Sequence, residues 1–294
     1  VVEAGWQTAA RPFLTITVYR DPLTMKKLIN IIPRKPLAIG LGVLPFLLVL
    51  ILYLLASNAR LASNPNDKLL PAFGTIVEAV GRLATEPSKR SGDYVFWTDT
   101  AASLERLLLG VGISALIALT FGVAQGALPL VRAKLSPFVT AVSLIPPMAI
   151  LPVLFIVFGL GELSKVVLII IGITPVLIRD IQGRVMELPT EQLIKAQTLG
   201  ASSWQVILRV ILPQTMPRLF ESVRLSLGPA WLFLIAAEAI AATEGLGYRI
   251  FLVRRYLSMD VILPYVVWIT LLAFLMDYAL KVYSRKRYPW FYRG

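Results

Sequence analysis

Uninterrupted apolar length constrains this chain more than anything else in it. Residues 107–131 and 135–161 contain no charged side chain, and neither does the stretch 47–55. A hydrocarbon core about 30 Å thick is crossed by about 20 such residues in a helix. A soluble core helix of that length would show a polar face at the 3.6-residue period, and these tracts show none. Charged residues make up 16% of the chain, against about 25% in average soluble domains, and they are clumped between the tracts. The chain reads as an all-α integral membrane protein with about six transmembrane helices.

The spans are expected near residues 36–56, 103–128, 137–158, 163–181, 218–242 and 262–282. The first is longer than the apolar core of a signal peptide, about 7–15 residues, and is read as a retained span. The fourth needs Lys165 and Arg179 to reach towards opposite interfaces. Residues 57–100, mixed in charge and rich in turn formers, read as an external connection with one short helix around residues 73–83.

Lys and Arg set the orientation. Lys26, Lys27, Arg34 and Lys35 precede the first span, and Arg132 and Lys134 lie in the second connection. Arg184, Lys195 and Arg209 lie in the fourth, and Arg285, Lys286, Arg287 and Arg293 close the chain. Cytoplasmic loops collect such residues, which places both termini in the cytoplasm and accounts for a net charge of +12 without nucleic acid. Arg249, Arg254 and Arg255 run against this pattern on the outer side. They read either as a solvated amphipathic segment or as a basic face for an anionic solute or an acidic partner. Residues 1–33 are an N-terminal tail, of which 1–24 read as an upstream extension before Met25. Residues 34–284 form one transmembrane domain, and 285–294 are a C-terminal tail.

There is no cysteine and no histidine, so thiolate metal sites and imidazole catalysis are excluded. No G-x-x-x-x-G-K-[ST] phosphate loop is present. No internal repeat of the kind that builds many secondary carriers is visible.

Between the fourth and fifth spans, residues 187–217 form a polar-faced hairpin. Thr190 reads as a helix cap, and Leu193, Ile194 and Leu199 can share one apolar side. Gly200 suits a left-handed stop, and Ser202 with Gln205 fits a capping box. A second helix carries Val206, Ile207, Val210 and Ile211 and ends at Pro213. A DNA-reading helix is excluded because Arg209 is its only charge. An interfacial linker and a docking knob for a cytoplasmic partner both remain open from the residues alone.

The spacing Ala196, Gly200, Val210-x-Leu212-Pro213 resembles the cytoplasmic coupling motif of permease subunits in binding-protein-dependent ABC importers. That motif runs Glu-Ala-Ala, three residues, Gly, nine residues, Ile-x-Leu-Pro; here Ile194 and Lys195 replace its first two residues. The segments SLERLLLGVGISALIALTFGVAQG (103–126), IPPMAILPVLFIVFGLGELSK (145–165) and SLGPAWLFLIAAEAIAATEGLGYRI (226–250) are similar to the nitrate/sulfonate/taurine/bicarbonate branch. The resemblance implies an importer-permease (MetI-like) fold with a cytoplasmic coupling helix between the fourth and fifth spans. It implies no chemistry on this chain, with ATP and Mg on a partner ATPase. The partners implied are a second permease copy, cytoplasmic ATPase subunits and an external or periplasmic substrate-binding protein, all at a bacterial inner membrane.

By the same resemblance the contacts to the ATPase fall on Leu193, Lys195, Ala196, Thr198, Leu199 and Gly200 of the first helix and its stop. Ala201, Ser202, Trp204, Leu212 and Pro213 continue them. In the third span, Ser143, Pro146, Pro147 and Met148 read either as a packed kink or as path lining, because proline frees backbone carbonyls. Trp231 reads as core packing or path wall. Glu238 sits in an apolar run, where a charge costs roughly 3 kcal/mol at mid-bilayer. It reads as a structural hydrogen bond or gate latch in preference to a solute ligand. Rival functions are an ion-coupled carrier using Glu238 and a membrane scaffold that docks a cytoplasmic protein.

Overall fold

The computed structural model describes residues 35–64, 67–88 and 92–292, and the proposed extension 1–24 lies outside them. It is helical throughout these residues: α1 (Lys35–Ser63), α2 (Phe73–Thr85), α3 (Val95–Ala127), α4 (Pro129–Ser143), α5 (Pro147–Phe158), α6 (Glu162–Met186), α7 (Thr190–Thr198), α8 (Ser203–Val206), α9 (Leu212–Ala241), α10 (Leu246–Arg254) and α11 (Met259–Arg287). Five described helical segments are long and apolar enough to cross a membrane, or six if the bent pair α4 and α5 is one span. The chain divides into residues 1–52 and a larger unit from Tyr53 onward. In the first, α1 is apolar all round, as a lipid-facing helix must be.

In the larger unit, the end of α1 is fastened to the segment before α2. Tyr53 donates to the Pro71 carbonyl at 2.8 Å and Ser57 to that of Leu70 at 3.0 Å. Arg60 pairs with Asp67, and this hydrogen bond, helped by the Leu69 amide, holds the Asp67 carboxyl below its ordinary range. The expected short helix is present as α2.

The core is the pair α3 and α6. Gly110, Ser114, Ala118, Gly122 and Gly126 recur every fourth residue along α3, all buried. Such a stripe lets backbones approach closely. Ile169, Ile181 and Val185 of α6 fill it. A carbon added to Gly110, Gly122 or Gly126 would lie 2.8, 2.7 or 2.4 Å from them. Both helices advance together through these contacts, so they run parallel, as helices separated by a returning segment must.

That returning segment departs from expectation. In place of one span over residues 137–158, α4 and α5 meet at 94°. Pro146 and Pro147 lack amide protons, and each disfavours helical backbone in the residue before it. Leu144 and Ile145 therefore close a tight turn onto Ala141 and Val142, and Pro147 opens a new helix.

The hairpin also differs. Pro213 does not end the second helix. From Ser203 to Ala241 the chain is one helical run, with a π turn over Ile207–Ile211 between α8 and α9. A proline in a regular helix clashes with the carbonyl four residues back and leaves it unbonded; the wider π turn, where the Leu212 amide reaches Ile207, makes room for it. Thr190 is not a cap, because Pro189 holds that position and Thr190 is already helical. Lys165 reaches back to the first residue of α6. Its side chain is buried and its ammonium lies 2.7 Å from Glu162.

Candidate functional site

The hairpin is built from local signals. Gly200 adopts φ +86°, which places a left-handed residue where α7 must stop. The Gly200 amide bonds to the Gln197 carbonyl and that of Ala201 to the Ala196 carbonyl, so two of the carbonyls in the last turn of α7 are satisfied by the stop itself. Ser202 accepts from the Gln205 amide at 3.3 Å, and the Gln205 side chain accepts from the Ser202 amide at 2.9 Å. This is the reciprocal box read from the sequence. A clasp that sequence reasoning missed joins the hairpin's two ends: Gln214 donates to Gln192 at 3.0 Å.

Leu193, Ala196, Ala201 and Leu212 turn partly inward, and so separate from Ile194 and Leu199, with which Leu193 was expected to share a side. Leu199 is 88% exposed, Trp204 67% and Ile194 56%, and Leu208 adds to the same exposed set. Lys195, Thr198, Ser202 and Pro213 are exposed, and the Thr198 hydroxyl turns back to the Lys195 carbonyl. The knob thus has a rigid, capped backbone and an uncovered apolar tip.

At the other end of the helices the polar groups are buried and saturated. Asp99, Ser103 and Arg106 lie four and three residues apart on one face of α3, and all three are buried. Glu238, fully buried on α9, accepts from Arg106 at 2.7 Å, from Ser103 at 2.8 and 2.9 Å, and from the Gly247 amide at 2.9 Å. Arg106 also binds Glu162 of α6 and the Glu244 carbonyl. Asp99 accepts from the Gly245 amide at 3.0 Å, Arg249 at 2.8 Å and Tyr265 at 3.1 Å. The Leu246 amide donates to Ser103. Three successive amides at the start of α10 therefore face side-chain oxygens of α3 and α9, and Gly245 allows this approach. Its φ is +127°, and a carbon added there would sit 2.6 Å from the Glu238 carboxyl.

Neither sequence reading of the outer arginines holds for Arg249, which is committed to Asp99. Arg254 stacks over Phe251 at 5.0 Å. Sequence reasoning missed Asp99, Ser103, Arg106 and Glu162; the shared face of the first three was the available signal.

The remaining candidates do not form one cluster. Ser143 caps the turn of the α4–α5 elbow, accepting from Arg179 at 2.9 Å, with Pro146 and Met148 exposed beside it and Pro147 half-buried. Trp231 is 4% exposed, in the core of α9. No group of three or more His, Cys, Asp or Glu that could hold a metal ion occurs among the described residues.

Helices packed this way define a class, the all-α multi-pass membrane protein. Two solved structures described as inward-facing conformations of the MetNI methionine ABC transporter share the fold, with TM-scores of 0.59 and 0.55 at 21% identity. The first covers 68% of this chain and 98% of its own. Residues 110–287 match the family described as binding-protein-dependent transport system inner membrane component. The taurine transport system permease protein TauC of Escherichia coli is 38% identical over 67% of this chain and 72% of its own length. A putative ABC transporter permease protein of Methanocaldococcus jannaschii is 30% identical over 84% and 90%. The bicarbonate transport system permease protein CmpB of Synechococcus elongatus is 30% identical over 62% and 66%. The chain belongs to this family: it is a permease subunit of a binding-protein-dependent ABC importer, and not an enzyme.

Proposed function

We propose that the chain forms the membrane channel for a small anionic solute of the sulfonate, taurine, nitrate or bicarbonate class. Two copies pair across the channel, and residues 190–213 are the handle on which a separate cytoplasmic ATPase docks. An external binding protein delivers the solute, and closure of the ATPases swings the handles and alternates access. Both termini are cytoplasmic, at a bacterial inner membrane. ATP and Mg bind on the ATPase. The solute class follows the relatives that are similar along most of their length.

The observation that carries the handle is the hairpin's construction. A free linker has no use for a Schellman-type stop, a reciprocal capping box and an outward row of Ile194, Leu199 and Trp204. A groove-docking element needs all three, because apolar anchors on a stiff helix transmit force where a loose one would dissipate it. Coupling contacts are assigned to Leu199, Trp204, Lys195 and Thr198 on the outer surface. Leu193, Ala196, Gly200, Ala201, Ser202, Leu212 and Pro213 hold its shape. Glu238 acts as a latch that keeps α10 seated, and the elbow at Ser143–Met148 lines the path. The ion-carrier alternative is disfavoured because Glu238 has its acceptor capacity taken by Arg106, Ser103 and Gly247.

Uptake into vesicles carrying the assembled transporter tests this reading. Uptake is expected to require ATP and to ignore a proton gradient. Uptake driven by the gradient without ATP would refute it.

A further inference from the structure

The turn that follows α11 closes on the root of the hairpin. Pro289 disfavours helical backbone at Tyr288, and a 3-10 turn, Pro289–Tyr292, folds the chain back. The Tyr292 and Ser284 hydroxyls share a hydrogen bond of 2.9 Å, with Ser284 fully buried. The Arg218 guanidinium lies over the Phe291 ring, 4.6 Å from its centre. Between this turn and the hairpin root is a cavity of about 340 Å³, within the range of about 300–1,000 Å³ usual for small-molecule sites. Its lining brings together Arg184 from the last turn of α6, Arg218 of α9, Phe291, and the clasped pair Gln192 and Gln214.

Three of these side chains keep donors in reserve. Arg184 stands 3.6 Å from Asp180 and 3.7 Å from Glu187, and Arg218 stands 3.7 Å from Glu221. Those separations exceed hydrogen-bond length, about 2.7–3.2 Å. Neither guanidinium donates a hydrogen bond among the described residues. Gln192 accepts from Gln214 through its oxygen, which leaves its amide N–H groups without an acceptor among the described residues. Glu187 is the single acid among the described lining residues, and its side chain is 66% exposed, free to turn to water.

We propose that this cavity binds an oxyanion, a phosphate or sulfonate group, held by Arg184, Arg218 and the Gln192 amide, and that the bound anion ties the hairpin root to the helices beside it. A guanidinium presents planar donors that match such oxygens, and Gln192 adds a neutral one. The cavity lies where α6 and α11 end, and both are long and apolar enough to cross a membrane. A lipid headgroup and a soluble anion both reach that level. An anion there bridges α6, α7 and α9 across the Gln192–Gln214 clasp, so it restrains the hairpin. The site itself stands without the importer reading; its restraint of transport rests on the handle proposed above.

The test uses the full-chain permease in a neutral detergent at constant ionic strength. Inorganic phosphate, ethanesulfonate and phosphatidylglycerol are titrated in turn, with chloride as the control. At least one of the three is expected to raise the unfolding temperature, as a ligand of the folded state must, and to slow amide exchange in residues 190–192 and 290–292. A response to phosphate or ethanesulfonate assigns a soluble anion, and a response to phosphatidylglycerol alone assigns the lipid headgroup. Arg184→Gln and Arg218→Gln should each weaken binding about tenfold, the size of one hydrogen bond to a charged group; Arg184→Lys should keep most of it. No response to any probe, or parental affinity in both glutamine variants, would overturn the site. Should those variants not fold, protection of the parent only outside the two segments overturns it instead. In proteoliposomes of the complete transporter the bound anion should slow ATP-driven uptake, and unchanged uptake at saturation would remove the restraint. Uptake that needs no ATP would sink the importer reading and leave the site standing.

Discussion

The hairpin and the opposite end of the bundle use polar groups in opposite ways. At the end away from the hairpin, Asp99, Ser103, Arg106 and Glu238 are buried and bonded to one another and to the amides of α10. At the hairpin, Ser202 and Gln205 are exposed and bond only within their own turn, while Leu199 and Trp204 stand uncovered. The first arrangement fastens helices far apart in sequence. The second makes a small element stiff by itself and leaves its apolar tip uncovered. Substitutions at the buried end should therefore lower stability, and, if the hairpin is the proposed handle, those at the hairpin should uncouple transport from ATP hydrolysis.

The largest effect is expected from Glu238→Ala. It removes the buried carboxylate shared by Arg106, Ser103 and the Gly247 amide, leaving Arg106 only Glu162 and the Glu244 carbonyl. Removing one partner of a buried pair costs about 3–5 kcal/mol. Thermal unfolding of the detergent-solubilised permease should show a marked drop, with Glu238→Gln falling less. Parental stability in both would erase the contrast between the regions. Next comes Gly122→Val, which drives side-chain carbons into Ile181; overpacking of this kind costs typically 1–3 kcal/mol. The same unfolding measurement should separate it from Gly112→Val, at a glycine with open space around it.

At the hairpin, Ser202→Ala should cost about 1 kcal/mol of local helix stability. Faster amide exchange in α8 is the readout, with global unfolding unchanged. Gly200→Val forces a branched side chain into φ +86°. It should preserve insertion and dimerisation while reducing transport per ATP hydrolysed. Ile194→Ala with Leu199→Ala should have the smallest effect on stability, since both side chains are exposed, yet weaken ATPase binding in pull-down. Loss of fold in that double variant would show that the tip is packed and not presented.

Legibility in the sequence divides along the same line. Gly200, the Ser202–Gln205 box and the helix at Phe73 were readable because their signals lie within a few residues. The spans were readable because apolar length needs no partner. What escaped depended on distance. Glu238 finds Ser103 and Arg106 more than a hundred residues away, and no local pattern names that pairing. The elbow at Pro146–Pro147 was visible as a bend, but its 94° angle depends on how α5 packs on α6 and α9. Pro213 misled because its usual effect, stopping a helix, is absorbed by a π turn that the residues do not announce.

Because the chain contains no cysteine, one thiol introduced as Leu199→Cys is unique in the permease. Attach a short photo-crosslinker to it and illuminate the assembled, transport-active complex. The hairpin as a gripped handle predicts a crosslink to the ATPase subunit. A label that reacts only with lipid, in a complex still importing solute, would contradict it.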